Sequence, residues 1–372
     1  MIDLNTMPRL GFGLMRLPQK DGAIDIGEVC RMADAYLATG LNYFDTAYVY
    51  HGGNSERAAK EALVKRHPRE SFMLATKLPA WELNSEADRD RIFDEQRERC
   101  GVDYFDFYLL HSVEDGNIGT YEKLDCFRWG LQKKAEGSIR HFGFSFHGSP
   151  ALLEKVLDEH PEVEFVQIQL NYADWENPVV RSGELYEILR RHSIPIIVME
   201  PVKGGTLANL TPELEGIYRA AKPDASPASW ALRFVASLPG VMTILSGMST
   251  PNQMQDNLNT FTHFVPLSKE EQDVVGEVRR IMLNVDQIGC TACRYCTDGC
   301  PMKISIPDVF KAVNTMKLYN ETFRPKSFYG NLVKLGAGRA SDCIQCGQCA
   351  SVCPQHLPII RLLQEASAKL DA

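Results

Sequence analysis

The chain has 372 residues, a length that accommodates two or three domains. Hydrophobic residues make up 44% and charged residues 24%, which excludes a disordered or coiled-coil chain. The formal charge of −8 argues against binding to nucleic acid or an anionic membrane, because both require a basic surface. The sequence contains neither an apolar run long enough for a membrane span nor the features of a secretory signal. We therefore expect a cytoplasmic protein whose partners are small molecules and proteins.

Strand and helix patterns alternate through the first three quarters of the chain. Eight short apolar runs begin at Pro8, Leu41, Phe72, Tyr104, Arg140, Phe165, Ile194 and Val241. Amphipathic stretches separate them, for example those that begin at Glu28 and Pro150. Eight such units predict a (β/α)8 TIM barrel over residues 1–270, with its chemistry at the C-terminal ends of the strands. The alternative is an open doubly wound sheet, but the segment LGFGLMRLP after the first run lacks a G-x-G-x-x-G loop.

Polar residues stand at the ends of three successive predicted strands. Asp45 ends the second strand, Lys77 the third and His111 the fourth, and Tyr50 closely follows Asp45. Taken singly, these residues are typical of a structural ion pair, a rim histidine and a packed aromatic ring. Together they predict a catalytic site in which the ammonium lowers the pKa of the phenol from its usual value near 10. The carboxylate would hold the ammonium, and the imidazole would orient a carbonyl oxygen.

The segment after the second predicted strand carries a specific motif. It reads D-T-A-x-x-Y at Asp45, Thr46, Ala47 and Tyr50, and a small turn and Asn54-Ser55-Glu56 follow. With Lys77 and His111, this motif resembles the aldo-keto reductases, and the resemblance extends from the N-terminus to about Phe264. It implies direct hydride transfer between NAD(P) and a carbonyl or alcohol substrate. Tyr50, rather than Tyr48, would be the proton donor or acceptor.

The same resemblance implies contacts with a nicotinamide and its ribose. The matching positions are Gly13, Leu14, Met15, Ser145 and Gln167. Two neighbouring positions depart from better-known members of the family. Phe146 stands where an asparagine often follows the serine, and Met199 stands where an aromatic ring often stacks on the nicotinamide. Ordinary barrel packing is the alternative explanation for these residues.

The segment GMSTPNQMQDNL corresponds to the part of the family that contacts the adenosine phosphate. It follows Ser246 and retains Asn257. However, Gln253 stands in place of the usual arginine, and Gly247 stands in place of a lysine. We therefore predict that the phosphate clamp is absent and that the protein has no strong preference for NADPH over NADH. Lys203 is another candidate cation, although we expect it to be solvated.

The cysteines mark a second domain. Eight of the eleven fall into two groups, Cys290, Cys293, Cys296 and Cys300, and Cys343, Cys346, Cys349 and Cys353. Both groups have the spacing C-x2-C-x2-C-x3-C-P, in which the fourth cysteine ligates the other cluster. We predict two [4Fe-4S] clusters in crossed ligation, with Cys353 joining the first triplet and Cys300 the second. Zinc is the alternative metal, but it usually takes two separated cysteine pairs.

Residues 271–372 resemble the two-cluster ferredoxin-type domains through these two motifs. About 40 residues separate the motifs, and the intervening segment IPDVFKAVNTMKLYN has a helical pattern. Its predicted apolar face consists of Val309, Phe310, Val313 and Met316. We therefore predict a small, mainly helical dicluster domain. The other three cysteines, Cys30, Cys100 and Cys126, are expected to pack in the core.

These features predict an oxidoreductase with a reductase barrel and an iron–sulfur domain. A nicotinamide delivers two electrons as a hydride, whereas a cluster exchanges one, so direct coupling would need a flavin. A flavin phosphate could lie at Gly204, Gly205 and the Ser246-Gly247 turn, although no flavin loop is recognisable. The clusters could be structural, could pass electrons to a redox partner protein or could act as a sensor, and we favour the structural role. The alternative function is an electron-transfer or redox-sensing protein whose barrel is catalytically retired.

Overall fold

The computed structural model describes residues 6–178, 180–284, 287–290, 292, 294–319, 321–353 and 355–372. The chain divides into two compact units. The first comprises Met1–Trp175 and Ser182–Val275, and the second comprises Glu176–Arg181 and Gly276–Ala372. Each unit has a hydrophobic core of its own.

The first unit contains a closed barrel of parallel strands. Its strands are β1 (Leu10–Gly13), β2 (Tyr43–Asp45), β3 (Met73–Pro79), β4 (Phe105–Val113), β5 (Ile139–Phe146), β6 (Val166–Gln169), β7 (Ile196–Met199) and β8 (Val241–Ser246). Each strand pairs with its neighbours in the chain, and β8 pairs with β1 to close the barrel. The predicted (β/α)8 barrel is thus confirmed. Because the strands are parallel, their C-terminal ends meet at one mouth.

Helices connect the barrel strands and continue beyond them. The helices of the first unit are α1 (Ile26–Ala38), α2 (Asn54–Ala59), α3 (Glu86–Cys100), α4 (Ile118–Lys123), α5 (Cys126–Ala135), α6 (Pro150–Glu159), α7 (Ser182–Arg191), α8 (Pro212–Ala221), α9 (Pro227–Ala236) and α10 (Pro251–Thr262). The next helix, α11 (Lys269–Met282), begins in the first unit and ends in the second. Short 3-10 turns lie at Leu14–Arg16, Tyr50–Gly53, Arg69–Ser71, Ala80–Glu82 and Lys203–Ala208. A π-helical turn, Lys60–Val64, extends α2.

The sequence sets the start of several of these helices. Ser149, Ser226 and Thr250 precede α6, α9 and α10, and each side chain accepts a hydrogen bond from the backbone N–H three residues later. Proline follows each cap at the first helical position, where no N–H is needed. These caps fix where the chain turns from the mouth back along the barrel wall.

Apolar side chains fill both faces of the barrel wall. Inside the barrel, Tyr43, Phe107 and Phe165 form an aromatic column with ring centroids 5.1 and 5.2 Å apart. Outside, Phe44 packs edge-on against Tyr36 of α1 at 5.1 Å. The interior is therefore a packed core, which leaves the mouth as the place for chemistry.

The three cysteines of the barrel lie in this core or against it. Cys100 and Cys126 are fully buried, and Cys30 is partly buried against the same cluster. Burial raises the pKa of the Cys100 thiol well above its ordinary value. This agrees with the predicted packing role.

The second unit is mainly helical in its described part. Its elements are α12 (Tyr295–Asp298), α13 (Ile306–Tyr319), α14 (Phe323–Lys334), a 3-10 turn (Ala340–Asp342), α15 (Gln348–Ser351) and α16 (Ile359–Leu370). The helix predicted between the cysteine groups is α13. Val309, Phe310 and Val313 of its predicted apolar face are buried, and Met316 packs against them.

Two local features differ from the sequence prediction. Strands β3 and β4 each continue two residues beyond Lys77 and His111, which were predicted as their last residues. A two-stranded hairpin, Gln19–Lys20 with Ala23–Ile24, lies between β1 and α1 and was not predicted. Its turn is Asp21-Gly22, with φ of 52° and 80°, a typical hairpin turn pair. The signal was present in the sequence, but the strands are too short to show a pattern.

Gly143 of β5 provides a test of this packing. A β-carbon there would lie 2.3 Å from the carbonyl oxygen of Phe165, the residue before β6, so Gly143→Ala must force β5 and the start of β6 apart. We expect a loss of about 1–3 kcal/mol in the free energy of unfolding, measured as a lowered thermal midpoint of the full chain. Gly216→Ala on α8 is the matched control, because nothing lies within 4 Å of its β-carbon. Equal midpoints for the two variants would contradict this packing.

Candidate functional site

Three of the predicted catalytic side chains lie on adjacent strands at the mouth of the barrel. Asp45 is the last residue of β2, and Lys77 and His111 lie near the ends of β3 and β4. The Lys77 Nζ donates to Asp45 Oδ1 at 2.6 Å and to the carbonyl oxygen of Thr46 at 2.7 Å. Lys77 and Asp45 are both buried. The ion pair is therefore shielded from water.

Tyr50 joins this group from the 3-10 turn that follows β2. The Lys77 Nζ lies 5.1 Å from the centre of the Tyr50 ring, and the ring centroids of Tyr50 and His111 are 5.9 Å apart. Tyr48 is directed elsewhere, because its hydroxyl donates to Glu95 Oε2 on α3 at 2.7 Å. The structure thus brings Tyr50, and not Tyr48, to the lysine.

Burial dominates the electrostatics of this site. It raises the pKa of Asp45 against the opposing effect of the Lys77 ammonium. Burial also works against the charge on Lys77, but Asp45 and Tyr50 outweigh it, so the pKa of Lys77 is raised. For Tyr50, burial raises the pKa above its ordinary value although Lys77 lowers it. Lys77 thus acts on the phenol pKa in the predicted direction, but burial outweighs it because the loss of hydration exceeds the effect of the ammonium.

His111 is held as a neutral imidazole. Burial, followed by the charge of Lys77, lowers its pKa well below the ordinary value. Its Nδ1 atom is buried and has no hydrogen-bond partner among the described residues. The indole of Trp81, 54% exposed, lies beside it with ring centroids 5.2 Å apart. A neutral imidazole carries one donor and one acceptor, so His111 can donate a hydrogen bond to a substrate oxygen beside the Trp81 ring.

A buried polar network behind Lys77 was not predicted. Gln96 Nε2 donates to the carbonyl oxygen of Lys77 and to Glu56 Oε1, both at 3.0 Å. Thr76 Oγ1 donates to the same Glu56 oxygen at 2.8 Å, and Tyr108 donates to Gln96 Oε1 at 2.6 Å. These contacts fix the backbone of β3 at Lys77. No pattern in the sequence distinguishes Gln96 from the other polar residues of its strongly charged helix.

The candidate nicotinamide contacts lie on β5, β6 and β7. Ser145 and Gln167 are paired in register and buried, and Ser145 Oγ accepts a hydrogen bond from the Ser112 N–H at 2.7 Å. Gln167 Nε2 contacts Met199 Sδ at 3.5 Å, and Gln167 Oε1 is buried without a partner among the described residues. An unpartnered acceptor beside a hydroxyl fits a carboxamide group such as that of nicotinamide.

The candidates after β1 differ in exposure. A β-carbon on Gly13 would lie 3.4 Å from the Ser246 carbonyl oxygen, which shows how closely β1 approaches β8. Leu14 is buried in the core, and its carbonyl oxygen accepts from Ser55 Oγ at 2.8 Å. Met15 is exposed. The Met15 side chain is therefore open to a ligand, whereas Gly13 and the Leu14 side chain are buried.

The candidates after β8 are bonded to one another. Asn257 Nδ2 of α10 donates to Ser246 Oγ at 2.8 Å, and both residues are buried. Gln253 is exposed, and its Oε1 accepts from the Ser249 N–H at 2.8 Å. Gly247 is exposed between them. Gln253 thus stabilises its own loop at the position where the family resemblance implied a cation.

Lys203 corrects another expectation. It is buried, and its Nζ donates to Asp174 Oδ1 at 2.7 Å, so it is not the solvated lysine that the sequence suggested. Asp174 Oδ2 also accepts from Gln169 and Asn171, at 2.6 and 2.8 Å. The lysine offsets the charge of a buried carboxylate, which the sequence could not reveal because Asp174 lies far away along the chain. Lys203 is therefore not a ready cation for a cofactor phosphate.

The cysteines of the second unit line two cavities. Cys300, Cys343, Cys346 and Cys349 line one cavity. Cys290, Cys296 and Cys353 line the other. The fourth cysteine of each group thus lies with the triplet of the other group, as crossed ligation requires. Cys293 lies outside the described residues.

The remaining walls of these cavities are mostly apolar. Ile306 lines both cavities, Leu363 lines the first, and Phe310 and Ile359 line the second. Within the described residues, no three Cys, His, Asp or Glu side chains are grouped so as to hold one metal ion. Thiolates around an apolar space of this kind fit the ligation of iron–sulfur clusters.

None of the described helices is long and apolar enough to cross a membrane.

Comparison with known families agrees with this geometry. Residues 9–280 match the sequence model of the Aldo/keto reductase family, which accounts for most of the chain. The chain belongs to the aldo/keto reductase family. Residues 289–357 match the 4Fe-4S dicluster domain, so this aldo/keto reductase chain carries a dicluster domain after its barrel.

Individual relatives cover the aldo/keto reductase barrel. An aldo-keto reductase from Mycolicibacterium vanbaalenii is 30% identical over 261 residues, which are 70% of this chain and 84% of that protein. The holo form of an aldo-keto reductase from Bacillus halodurans is 25% identical, with a TM-score of 0.59, over 73% of this chain and 92% of that one. An aldo/keto reductase from Klebsiella pneumoniae, solved with NADP and acetate, is 21% identical, with a TM-score of 0.59, over 74% and 91% of the two chains. The last similarity is one of fold alone.

Substitution of Cys353 tests the crossed arrangement of the dicluster domain. Because Cys353 lines the cavity of Cys290 and Cys296, Cys353→Ser should damage the cluster of the first triplet and spare the other. The Cys353→Ser protein, purified anaerobically, should then contain about four iron atoms, whereas the wild type should contain about eight. Cys300→Ser is the matched variant and should damage the cluster of Cys343.

Electron paramagnetic resonance of the two reduced variants should show complementary losses. Damage in Cys353→Ser that is confined to the cluster of Cys343 would reject the crossing. Stoichiometric zinc without iron or sulfide in the wild-type protein would reject the clusters themselves.

Proposed function

We propose that this chain is an NAD(P)-dependent aldo-keto reductase that transfers a hydride between a nicotinamide and a small carbonyl or alcohol substrate. The observation that carries the proposal is the buried Lys77 ammonium between Asp45 and Tyr50. A charged lysine is costly to bury, and it supports a role in stabilising a phenolate that forms during reaction. His111, with its unpartnered Nδ1, provides the adjoining position for a carbonyl oxygen.

Residues at the mouth fit the proposed cofactor. Gln167 Oε1, buried and unpartnered, can accept a hydrogen bond from a carboxamide NH₂, and the Ser145 hydroxyl can donate to its oxygen. The cofactor, when bound, would supply or accept the hydride. Met15 and Met199 would provide apolar contacts beside it. At this position the cofactor would contact the polarisable thioether of Met199 and not the face of an aromatic ring.

The chain's own residues would handle the proton. In carbonyl reduction, Tyr50 gives the proton of its hydroxyl to the substrate oxygen, and Lys77 stabilises the phenolate that remains. Asp45 keeps Lys77 charged and in position. His111 holds the substrate oxygen near the phenol, and solvent later restores the proton to Tyr50. The raised pKa of Tyr50 keeps the phenol protonated beforehand, which favours its action as a donor.

For residues 271–372 we propose a domain that binds two [4Fe-4S] clusters with a structural role. Each cavity takes cysteines from both ends of the domain, so ligation would tie these ends together and couple metal loading to folding. The clusters would add one-electron chemistry, which hydride transfer in the barrel does not require.

Substitution of Tyr50 tests the proposed reaction. Tyr50→Phe should lower the rate of carbonyl reduction by at least about 100- to 10,000-fold, the usual contribution of general acid catalysis. Dinucleotide affinity should change little, because the hydroxyl acts on the substrate. Lys77→Met should be similarly slow. The matched control is Tyr48→Phe, which removes a hydroxyl bonded to Glu95 outside the site and should retain activity.

Steady-state rates with a panel of aldehydes and ketones, and dinucleotide fluorescence, measure these effects. Full activity of Tyr50→Phe on a true substrate would overturn the mechanism. A wild-type protein that binds no dinucleotide would favour the alternative function, an electron-transfer or redox-sensing protein whose barrel has no catalytic activity.

The pH dependence of carbonyl reduction provides a second test. Tyr50 must be protonated to donate a proton. Because its pKa is raised above the ordinary tyrosine value of 10.0, the phenol stays protonated up to that pH. His111 remains neutral above its pKa, which lies well below 6.5. We therefore expect the rate to stay level between pH 6.5 and pH 10.0. A loss of rate below pH 7 that disappears in His111→Gln would contradict the assignment of a neutral histidine.

A further inference from the structure

His111 lies at an irregular place in β4. The register of the pairing between β4 and β5 shifts between Leu110 and Val113, and Ser112 has a φ of 56°. A positive φ is unfavourable for serine and persists only where other contacts hold it. On the other side, His111 pairs with Pro79, the last residue of β3. Because one neighbouring strand changes register and the other ends, few regular sheet bonds remain to hold the backbone at His111.

The hydroxyl of Tyr121 lies between the ends of β3 and β4. Tyr121 belongs to α4 and is fully buried. Its hydroxyl donates to the His111 carbonyl oxygen at 2.7 Å, lies 2.8 Å from the carbonyl oxygen of Leu78, and accepts from the Ala80 N–H at 3.0 Å. The phenol therefore bridges the strand that carries Lys77 to the strand that carries His111.

The same hydroxyl anchors the turn that carries Trp81. The donor to Tyr121, Ala80, is the first residue of the 3-10 turn Ala80–Glu82. Trp81 follows, with its ring centroid 5.2 Å from that of His111. The imidazole and the indole are the two rings beside the proposed position of the carbonyl oxygen. One buried hydroxyl thus holds the backbone that carries both rings.

Asn117, which precedes α4, holds the chain on the other side of His111. Its Nδ2 donates to the Ser112 carbonyl oxygen at 2.7 Å, and its Oδ1 accepts from the Glu114 N–H at 3.0 Å. The Ser112 N–H donates to the Ser145 hydroxyl of β5. Side chains thus satisfy backbone groups that a regular sheet would pair with each other.

We propose that Tyr121, assisted by Asn117, positions His111. The buried phenol fixes the backbone that carries the imidazole and so sets the place of the substrate's carbonyl oxygen. This inference rests on the proposed function, in which His111 orients that oxygen. It adds two residues that act through His111 and do not touch the substrate. Orientation is important for the rate because a misplacement of about 1 Å can cost about 100-fold.

The supports of Lys77 and His111 come from different helices. The Lys77 carbonyl oxygen accepts from Gln96 of α3, and the Lys77 Nζ is held by Asp45. The His111 carbonyl oxygen accepts from Tyr121 of α4. Loss of the Tyr121 hydroxyl should therefore act mainly through His111 and leave the Lys77–Asp45 pair in place.

Tyr121→Phe tests this inference, because it removes the hydroxyl and keeps the ring that fills the core. We expect kcat/KM for carbonyl reduction to fall by roughly 10- to 100-fold, as misplacement of an orienting group predicts. The dissociation constant of the dinucleotide should not change. In a His111→Ala background the same substitution should cause little further loss, since no imidazole remains to be positioned. Steady-state rates and dinucleotide fluorescence measure these effects.

Tyr36→Phe is the matched control. Tyr36 of α1 is also fully buried, and its hydroxyl donates to the Leu10 carbonyl oxygen at 2.6 Å and lies 3.2 Å from that of Tyr43. Leu10 and Tyr43 begin β1 and β2, so this bridge lies at the end of the barrel opposite to the mouth. The control should lower the thermal midpoint about as much as Tyr121→Phe and should retain kcat/KM.

Asn117→Ala keeps the test decisive if Tyr121→Phe does not fold, because Asn117 is only partly buried. It should cause a smaller loss of kcat/KM that again disappears in the His111→Ala background. Losses by the same factor with and without His111 would show a general structural role and overturn the inference. Full activity of Tyr121→Phe would also overturn it, while the proposed function would stand. A wild-type protein that binds no dinucleotide and reduces no carbonyl would overturn both.

Discussion

The candidate active site depends on one buried ion pair, between Lys77 and Asp45. Each of these charges costs on the order of several kcal/mol to remove from water, so the pair persists only with close geometry and further hydrogen bonds. The barrel supplies both. Adjacent parallel strands bring the two side chains to 2.6 Å, and the Thr46 carbonyl oxygen accepts a second hydrogen bond from the ammonium. The network through Gln96 then fixes the backbone that carries Lys77.

Much of this arrangement was accessible from the sequence, because its main cause is periodic. Alternating apolar runs and amphipathic helices specify a parallel barrel, and a parallel barrel gathers the ends of all its strands. Any polar residue at a predicted strand end, such as Asp45 or His111, is therefore a candidate for the mouth. Two repeats of one cysteine spacing likewise indicated how Cys300 and Cys353 would be shared.

The remaining features depend on contacts between distant parts of the chain. Burial sets the direction of the Tyr50 pKa, and burial follows from packing that no local pattern encodes. Lys203 looked solvated because its partner Asp174 belongs to another loop. Sequence reasoning located the mouth but could not assign every charge within it.

The wall between the two cysteine cavities couples them through one side chain. Ile306, the first residue of α13, lines both cavities. A substitution that changes the volume of this side chain would reshape both cavities at once. At this position, neither cysteine group has a wall that can be altered without affecting the other.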